Sequence, residues 1–122
     1  MPSPTQRLGA EIERQARDLL IARGLRCLEE RFQTRFGELD LVMLDADTLV
    51  IVEVRHRRAG AMVGALESVS PTKQRRIVSA TQGLLRRRPK LASLPIRFDV
   101  VAVDGGMDAS GIRWIQDAFR PW

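Results

Sequence analysis

The sequence predicts one α/β domain built on a mixed sheet with helices packed against it. Three observations predict this class: the 122 residues suit a single domain, runs of β-branched residues alternate with amphipathic helical patterns, and the order of these segments is α-β-β-β-α-β. The second and third strands suit a hairpin, whereas the helix before the fourth strand allows parallel pairing. We therefore expect residues 1–122 to fold around one mixed central sheet.

Two helices are predicted from their end signals. Ser3-Pro4-Thr5-Gln6 combines an N-cap serine, a proline at the first helical position and a glutamine that completes a capping box. Apolar residues then recur at helical spacing until Gly24, which is a typical stop. Ser70-Pro71 opens the second helix by the same logic, and Pro89 ends it.

Four strands are predicted between and after these helices, because the intervening segments are short, apolar and bounded by turn residues. They cover residues 25–33, 36–44, 49–57 and 96–103. Asp45-Ala46-Asp47-Thr48 is predicted as the turn of the hairpin, and residues 58–69 and 104–111 as loops. Residues 112–122 are expected to close the chain as a short strand, a helical turn or both.

Composition narrows the functional class. The formal net charge of +5 and the pI of about 10.9 suit a polyanionic partner such as nucleic acid. No apolar run approaches the roughly 18 residues of a membrane span, and the first residues lack the apolar core of a signal peptide. Cys27, the single cysteine, excludes an internal disulfide and a cysteine-rich zinc site. It is expected to be a small core residue in a cytoplasmic protein.

The hairpin is expected to gather four charged residues on one face. A turn centred between residues 46 and 47 pairs Leu44 with Leu49, and directly opposed residues share a face. Counting back from that pair places Asp40 opposite Glu53 and Glu38 opposite Arg55. The opposite face would then carry the core residues Leu39, Leu41, Val52 and Val54.

The two central acids indicate a metal site. Like charges opposite each other destabilise a sheet, so Asp40 and Glu53 need a compensating cation. Carboxylates suit Mg²⁺ or Mn²⁺, and such a cation beside a phosphodiester activates water. Glu13 borders the apolar stripe of the first helix and is a third candidate, with a helix-edge salt bridge as its alternative. Structural ion pairs, such as Arg55 with Glu38, are the alternative for the hairpin acids.

An ordered set of short motifs resembles the bacterial YraN family across nearly the whole chain. Each motif is short, but their order along the chain is specific. The motifs are Gly9-x3-Glu13-x2-Ala16, Gly37-Glu38-Leu39-Asp40-Leu41, Val52-Glu53-Val54-Arg55, Lys73, Arg97-Phe98-Asp99-Val100-Val101 and Trp114-Ile115-Gln116-Asp117-Ala118-Phe119.

This resemblance implies a restriction-endonuclease-like, or PD-(D/E)XK, α-β-β-β-α-β core and metal-dependent cleavage of phosphodiesters. By the motif positions, Asp40 matches the metal-binding aspartate, Glu53 the acid of the E-x-K pair and Glu13 the helix glutamate of resolvase-like branches. Glu38 occupies a motif position without an assigned role. The lysine of the pattern is replaced by Arg55, which can donate to phosphate but does not act as a base.

Basic residues are expected to follow the phosphates of DNA. Lys73, at the start of the second helix, could reach a phosphate, and two basic runs could track the backbone. A solvated surface is the alternative for each. The runs contain Arg55, Arg57 and Arg58, and Arg86, Arg87 and Arg88. With 5% aromatic residues and no tyrosine, stacking on single-stranded bases is not expected.

The main hypothesis is therefore an Mg²⁺- or Mn²⁺-dependent nuclease acting on DNA, including branched or repair intermediates. Its catalytic residues would be Glu13, Asp40, Glu53 and Arg55, with Asp40 and Glu53 as metal ligands. The alternative is a non-catalytic nucleic-acid-binding module on the same fold, and a third hypothesis is a protein-interaction or structural domain. A homodimer would suit the two strands of a duplex, but the sequence identifies no interface. His56 is expected to be structural or exposed, and Asp99 to pair with a neighbouring arginine.

Overall fold

The computed structural model describes residues 3–57, 69–104 and 111–121. Its elements follow the predicted order, with a fifth strand near the end of the chain and a short 3-10 helix, Pro89–Ser93, that the sequence did not predict. The predicted loop at 58–69 and connector at 104–111 lie mostly outside the described residues. The helices are α1 (Pro4–Ala22) and α2 (Pro71–Arg87), and the strands are β1 (Arg26–Thr34), β2 (Gly37–Asp45), β3 (Thr48–Arg57), β4 (Ile96–Asp104) and β5 (Ile112–Ile115).

Both helices begin at the predicted serine caps. The Ser3 hydroxyl accepts from the Gln6 backbone N–H at 3.1 Å, and the Ser3 backbone N–H donates to the Gln6 side chain at 2.9 Å, which completes the capping box. In α2, the Ser70 hydroxyl accepts from the backbone N–H of Lys73 at 3.2 Å. These caps satisfy N–H groups that have no partner within the helix. The second cap also fixes Lys73 in the first turn of α2.

The five strands form one mixed sheet in the order β1-β2-β3-β4-β5. Strand β3 is parallel to β4, whereas the other neighbouring pairs are antiparallel. Helix α2 makes the crossover between the two parallel strands, as the element order predicts. The predicted mixed α/β architecture is therefore confirmed.

The two helices cover opposite faces of this sheet. Along β3, Leu49 and Ile51 belong to a core cluster with Ile77 and Leu84 of α2. Val50 and Val52 belong to a second cluster with α1, which contributes Ile12, Ala16 and Leu20. Since successive residues of a strand point to opposite faces, the clusters lie on the two sides of the sheet. Among the described residues, no helix is long and apolar enough to cross a membrane.

The predicted hairpin register is confirmed as far as Leu41 and Val52, but the ladder ends there and does not include the predicted pairs Asp40–Glu53 and Glu38–Arg55. Leu44 pairs with Leu49, and pairing continues to Leu41 opposite Val52, one position before Asp40 and Glu53. The prediction that Leu39 and Leu41 share a face is wrong, because Leu39 packs in the α2 cluster and Leu41 in the α1 cluster. The strand alternation is therefore broken at Asp40.

A buried carboxylate joins β4 to the end of the chain. Asp99 is fully buried and accepts hydrogen bonds from Arg97 Nε, Trp114 Nε1 and the Asp117 backbone N–H, each at 2.9 Å. The expectation that Asp99 satisfies a neighbouring arginine is confirmed. The Trp114 and Asp117 bonds also hold β5 and the following turn against β4, so the group has a structural role.

Candidate metal and nucleic-acid site

Asp40 lies where the pairing of β2 and β3 ends. Its Oδ2 atom accepts a hydrogen bond from the backbone N–H of Val54 at 2.8 Å. The Asp40 side chain thus bonds to the β3 backbone beyond the last pair of the ladder. This places the Asp40 carboxylate between the two strands, within reach of groups from both faces of the sheet.

The surroundings of Asp40 disfavour its negative charge. The pKa of Asp40 is raised to about 8, mainly because the carboxyl is buried and secondly because the negative charge of Glu53 is close. Glu13 makes a smaller contribution. The Val54 N–H and the Lys73 ammonium act in the opposite direction but do not compensate. A cation near Asp40 would stabilise the ionised carboxylate, because an opposite charge within about 4–6 Å favours the charged form.

Three carboxylates converge beside this position. Glu13 of α1 and Glu38 and Asp40 of β2 each place an oxygen so that the three atoms lie within 4.8 Å of one another. We call these residues the acid cluster. Glu13 Oε2 also accepts from Arg31 Nε at 2.7 Å, and Glu38 accepts from the side chain of Gln33. Carboxylate oxygens at this spacing match the ligand chemistry of Mg²⁺ and Mn²⁺.

Glu53 is buried and held by two cations. Its side chain is 4% exposed, and its Oε1 atom lies 3.2 Å from Lys73 Nζ and 3.6 Å from Arg55 Nη1. A buried acid in a strand of valines needs such partners, since charged groups are rarely buried unpaired. Lys73 reaches it from the first turn of α2. The acid cluster and this triad meet at Asp40, whose pKa both Glu53 and Lys73 affect.

The structure brings together most of the predicted site. Asp40 lies near Glu53 as expected, but the acids grouped at ligand distance are Glu13, Glu38 and Asp40. Glu38, which was predicted on the same face as Asp40 but without a role, is one of the three. Arg55 lies at the site because its guanidinium pairs with the Glu53 carboxylate. Glu13 lies in the acid cluster and also pairs with Arg31, which is the helix-edge salt bridge predicted as its alternative.

The predicted phosphate-binding residues fall into separate regions. Lys73 is at the site, whereas the side chain of Arg57 and all of Arg58 lie outside the described residues. The run Arg86, Arg87 and Arg88 is at the other end of α2, roughly 20 Å from Lys73 along the helix at 1.5 Å per residue. In this run, Arg88 pairs with Glu29 at 3.1 Å, and the Arg87 guanidinium lies 5.1 Å from the centre of the Phe32 ring.

Other basic residues, which the sequence analysis did not select, lie closer to the acids. A cavity of about 330 Å³ lies between the β1–β2 turn and α2, and we call it the basic pocket. Its lining includes Arg35, Phe36, Glu38, Lys73 and Arg76. Arg76 could have been found from its i,i+3 spacing to Lys73, which places the two on one side of a helix. Arg35 gave no comparable signal, because its place depends on how the β1–β2 turn meets α2.

Neither His56 nor Cys27 belongs to the acid cluster. His56 is half-buried and lines a cavity of about 190 Å³ together with Glu13 and Val54. Cys27 is half-buried against the α1 cluster, and burial raises the pKa of its thiol. A raised thiol pKa disfavours the reactive thiolate.

Comparison with known proteins identifies similar sequences over nearly the full length. The model of the uncharacterised protein family UPF0102 matches residues 12–103, a range that contains the acid cluster, Glu53 and Lys73. A UPF0102 protein of Nitrosococcus oceani is 40% identical over 119 residues, covering 98% of this chain and 96% of the relative. One from Stutzerimonas stutzeri is 47% identical over 118 residues, covering 97% and 98%. One from Xanthomonas oryzae pv. oryzae is 48% identical over 124 residues, covering 98% and 97%.

Proposed function

The chain belongs to the uncharacterised protein family UPF0102, which confirms the predicted YraN-like family, and we propose that it is a metal-dependent nuclease acting on DNA. We include in this proposal a restriction-endonuclease-like core, which the α-β-β-β-α-β order and the mixed sheet support. The observation that carries the proposal is the acid cluster, which lies beside the Glu53–Lys73–Arg55 triad where β2 and β3 stop pairing.

The acids of the site fit Mg²⁺ or Mn²⁺. Asp40 would hold the ion together with Glu13 and Glu38, whose oxygens lie within 4.8 Å of its own, and Glu53, the second ligand expected from the sequence, would bind the ion or one of its water ligands from beside Asp40. The raised pKa of Asp40 supports this assignment, since the carboxylate lacks enough positive charge around it. When bound, the ion would supply an activated water and neutralise charge that develops on the phosphate.

Lys73 supplies the chemistry that Arg55 lacks. The planar guanidinium of an arginine suits paired contacts with phosphate oxygens, whereas a lysine ammonium is a compact charge with three donors that can also be directed at a water. The Nζ atom of Lys73 contacts the same Glu53 oxygen as Arg55 does. We therefore assign Lys73, as an ammonium, to orient the attacking water and Arg55 to hold the phosphate.

The charge of the protein supports a nucleic-acid substrate. The net charge is +5, and Arg35, Lys73 and Arg76 line the pocket next to Glu38. Cations arranged around an acidic centre can hold the flanking phosphates while the acids hold the ion, and such binding weakens as salt rises. We place this activity in the cytoplasm, where a free Cys27 stays reduced.

The proposal is tested by incubating the protein with branched, nicked and duplex DNA in the presence of Mn²⁺ or Mg²⁺. We expect metal-dependent cleavage of at least one substrate by the wild type, and loss of that cleavage in D40A. The matched control is D47N, which alters an exposed aspartate in the turn of the same hairpin. The absence of cleavage on every substrate, or equal cleavage by D40A, would contradict the nuclease assignment.

A non-catalytic nucleic-acid-binding module on the same fold is the second candidate. The observation that favours it is that Lys73 and Arg55 already neutralise Glu53 without an ion. On this hypothesis E53Q binds DNA as the wild type does, and neither protein cleaves DNA with added metal. Metal-stimulated cleavage that E53Q abolishes would exclude this second candidate.

A further inference from the structure

A phenylalanine is exposed on the tight turn between β1 and β2. The Phe36 side chain is 40% exposed, and its position is fixed by hydrogen bonds of the neighbouring Thr34. The Thr34 hydroxyl accepts from the Phe36 backbone N–H at 3.1 Å and donates to the Gly37 carbonyl at 2.8 Å. Gly37 has a φ of 139°, which favours glycine. The turn is thus well defined, and it presents an aromatic ring at the protein surface.

The surroundings of this ring are cationic. The Arg35 guanidinium lies 4.9 Å from the centre of the Phe36 ring, and Arg76 and Lys73 approach from α2. All four residues line the basic pocket. An aromatic ring surrounded by cations is the combination by which proteins bind unpaired nucleotides, since the ring stacks on a base and the cations hold phosphates.

The basic pocket is continuous with the acid cluster, because Glu38 belongs to both. A strand held in the pocket would therefore present a neighbouring phosphate to Asp40 and Glu13. The pocket volume of about 330 Å³ is at the lower end of the range for small-ligand sites, which suits a single nucleotide. A base inside a duplex stays in its stack and cannot reach the ring.

We propose that the basic pocket binds one unpaired nucleotide of DNA, with its base stacked on Phe36 and its phosphates held by Arg35 and Arg76. This inference rests on the proposed function, and it names the substrate class: DNA in which a paired segment meets an unpaired strand. The proposal departs from the expectation, based on the low aromatic content of the chain, that the protein does not stack on single-stranded bases. Low aromatic content does not prevent a single ring from stacking on a base when it lies beside the cations.

The test uses binding without cleavage. A forked duplex carries 2-aminopurine at its first unpaired position, and a fully paired duplex of the same sequence serves as the comparison, both at low salt with EDTA. We expect the wild type to bind the fork more tightly and to quench the 2-aminopurine by stacking. F36A should weaken fork binding about 5- to 150-fold, as expected for one lost stacked base, and should abolish the quenching.

Three further variants separate stacking from other effects. F36W should retain fork preference and quenching, whereas R76A should weaken fork binding and reduce its dependence on salt. I21A is the matched control, since Ile21 is an apolar residue of α1 that is 47% exposed and lies outside the pocket. It should bind both DNAs as the wild type does.

The outcomes distinguish this inference from the nuclease proposal. If F36A keeps the wild-type ratio of fork to duplex affinity, or if the protein binds no DNA, the pocket assignment is wrong. If the fork preference depends on Phe36 but Mn²⁺ produces no cleavage, the pocket assignment stands and the nuclease proposal fails. Cleavage with no role for Phe36 in binding overturns the pocket assignment alone.

Discussion

Lys73 Nζ lies 3.2 Å from Oε1 of Glu53, so the first turn of α2 and the middle of β3 are joined by an ion pair at the edge of the acid cluster. Glu53 is 4% exposed in its side chain, and Lys73 is 36% exposed. The pair explains how an acid is tolerated in a strand of valines, because Lys73 of α2 supplies a compensating positive charge. It also places a lysine at the site although position 55 is an arginine.

Lys73 is expected to affect stability and cleavage through different properties. K73M leaves the buried Glu53 with fewer cations and should lower the free energy of unfolding by about 1–2 kcal/mol, below the range for fully buried pairs because Lys73 is partly exposed. K73R should retain most of that stability but lower cleavage, since the larger, planar guanidinium cannot take the place of the compact ammonium beside the attacking water. Urea denaturation and a Mn²⁺-dependent cleavage assay measure the two effects. K90A, at an exposed lysine of the 3-10 helix, is the control. Wild-type cleavage by K73R would contradict the role of the lysine.

Asp40 is expected to make the protein less stable as the pH rises. Its folded-state pKa of about 8 is above the ordinary value of 3.8, so the folded protein binds the proton more tightly than the unfolded chain. Stability from this group is therefore full below pH 4 and falls as the pH rises towards 8. D40N removes the effect and should be more stable than the wild type at pH 8 by at least about 1.4 kcal/mol, the equivalent of one pKa unit. Urea denaturation with EDTA at pH 5 and pH 8 tests this. A D40N protein that is less stable than the wild type at pH 8 would show that the folded protein does not disfavour the ionised form of Asp40.

Arg31 is expected to compete with a metal ion for the acid cluster. Its Nε atom donates to Glu13 at 2.7 Å, and Glu38 and Asp40 also raise the pKa of this arginine. R31Q removes that cation and should tighten Mn²⁺ binding about two- to five-fold, which corresponds to an exposed ion pair. Isothermal titration calorimetry measures the change.

R14Q provides the matched control for R31Q. Arg14 pairs with Glu11, which is outside the acid cluster, so its loss should leave Mn²⁺ affinity unchanged. Equal affinities for the wild type and R31Q would mean that the ion binds away from Glu13.

Features set by local sequence were predictable. The caps at Ser3 and Ser70 and the pairing of Leu44 with Leu49 depend on residues a few positions apart, and each is confirmed. Local signals do not predict where a ladder ends. Phe36 was predicted at the start of a strand but lies in the turn. Leu39 was predicted to share a face with Leu41 but packs in the α2 cluster, because the strand alternation breaks at Asp40.

Contacts between distant segments account for the rest of the site. Arg31 and Glu13 meet because α1 packs against β1 as well as against β2 and β3. The Lys73–Glu53 pair depends on how α2 packs after it follows β3 in the chain. Glu13 can be recognised in the sequence because it borders the apolar stripe of the first helix. Arg31 cannot be recognised in this way, because its φ of 51° within β1 is unusual for a residue other than glycine and has no sequence signature.

Asp99 is expected to stabilise the fold without contributing to the site. D99N replaces one acceptor oxygen of a fully buried group by a donor that faces the Arg97 and Trp114 donors, and should lower the free energy of unfolding by about 2–4 kcal/mol. D45N removes the more exposed partner of the same Arg97 and should lower it by less than about 1 kcal/mol. Thermal unfolding followed by tryptophan fluorescence compares the two. Fork binding at a temperature where both variants are folded should be unchanged, because Asp99 lies outside the basic pocket and the acid cluster. Equal stability of D99N and D45N would mean that the bonds from Trp114 and Asp117 contribute little to holding β5 in place.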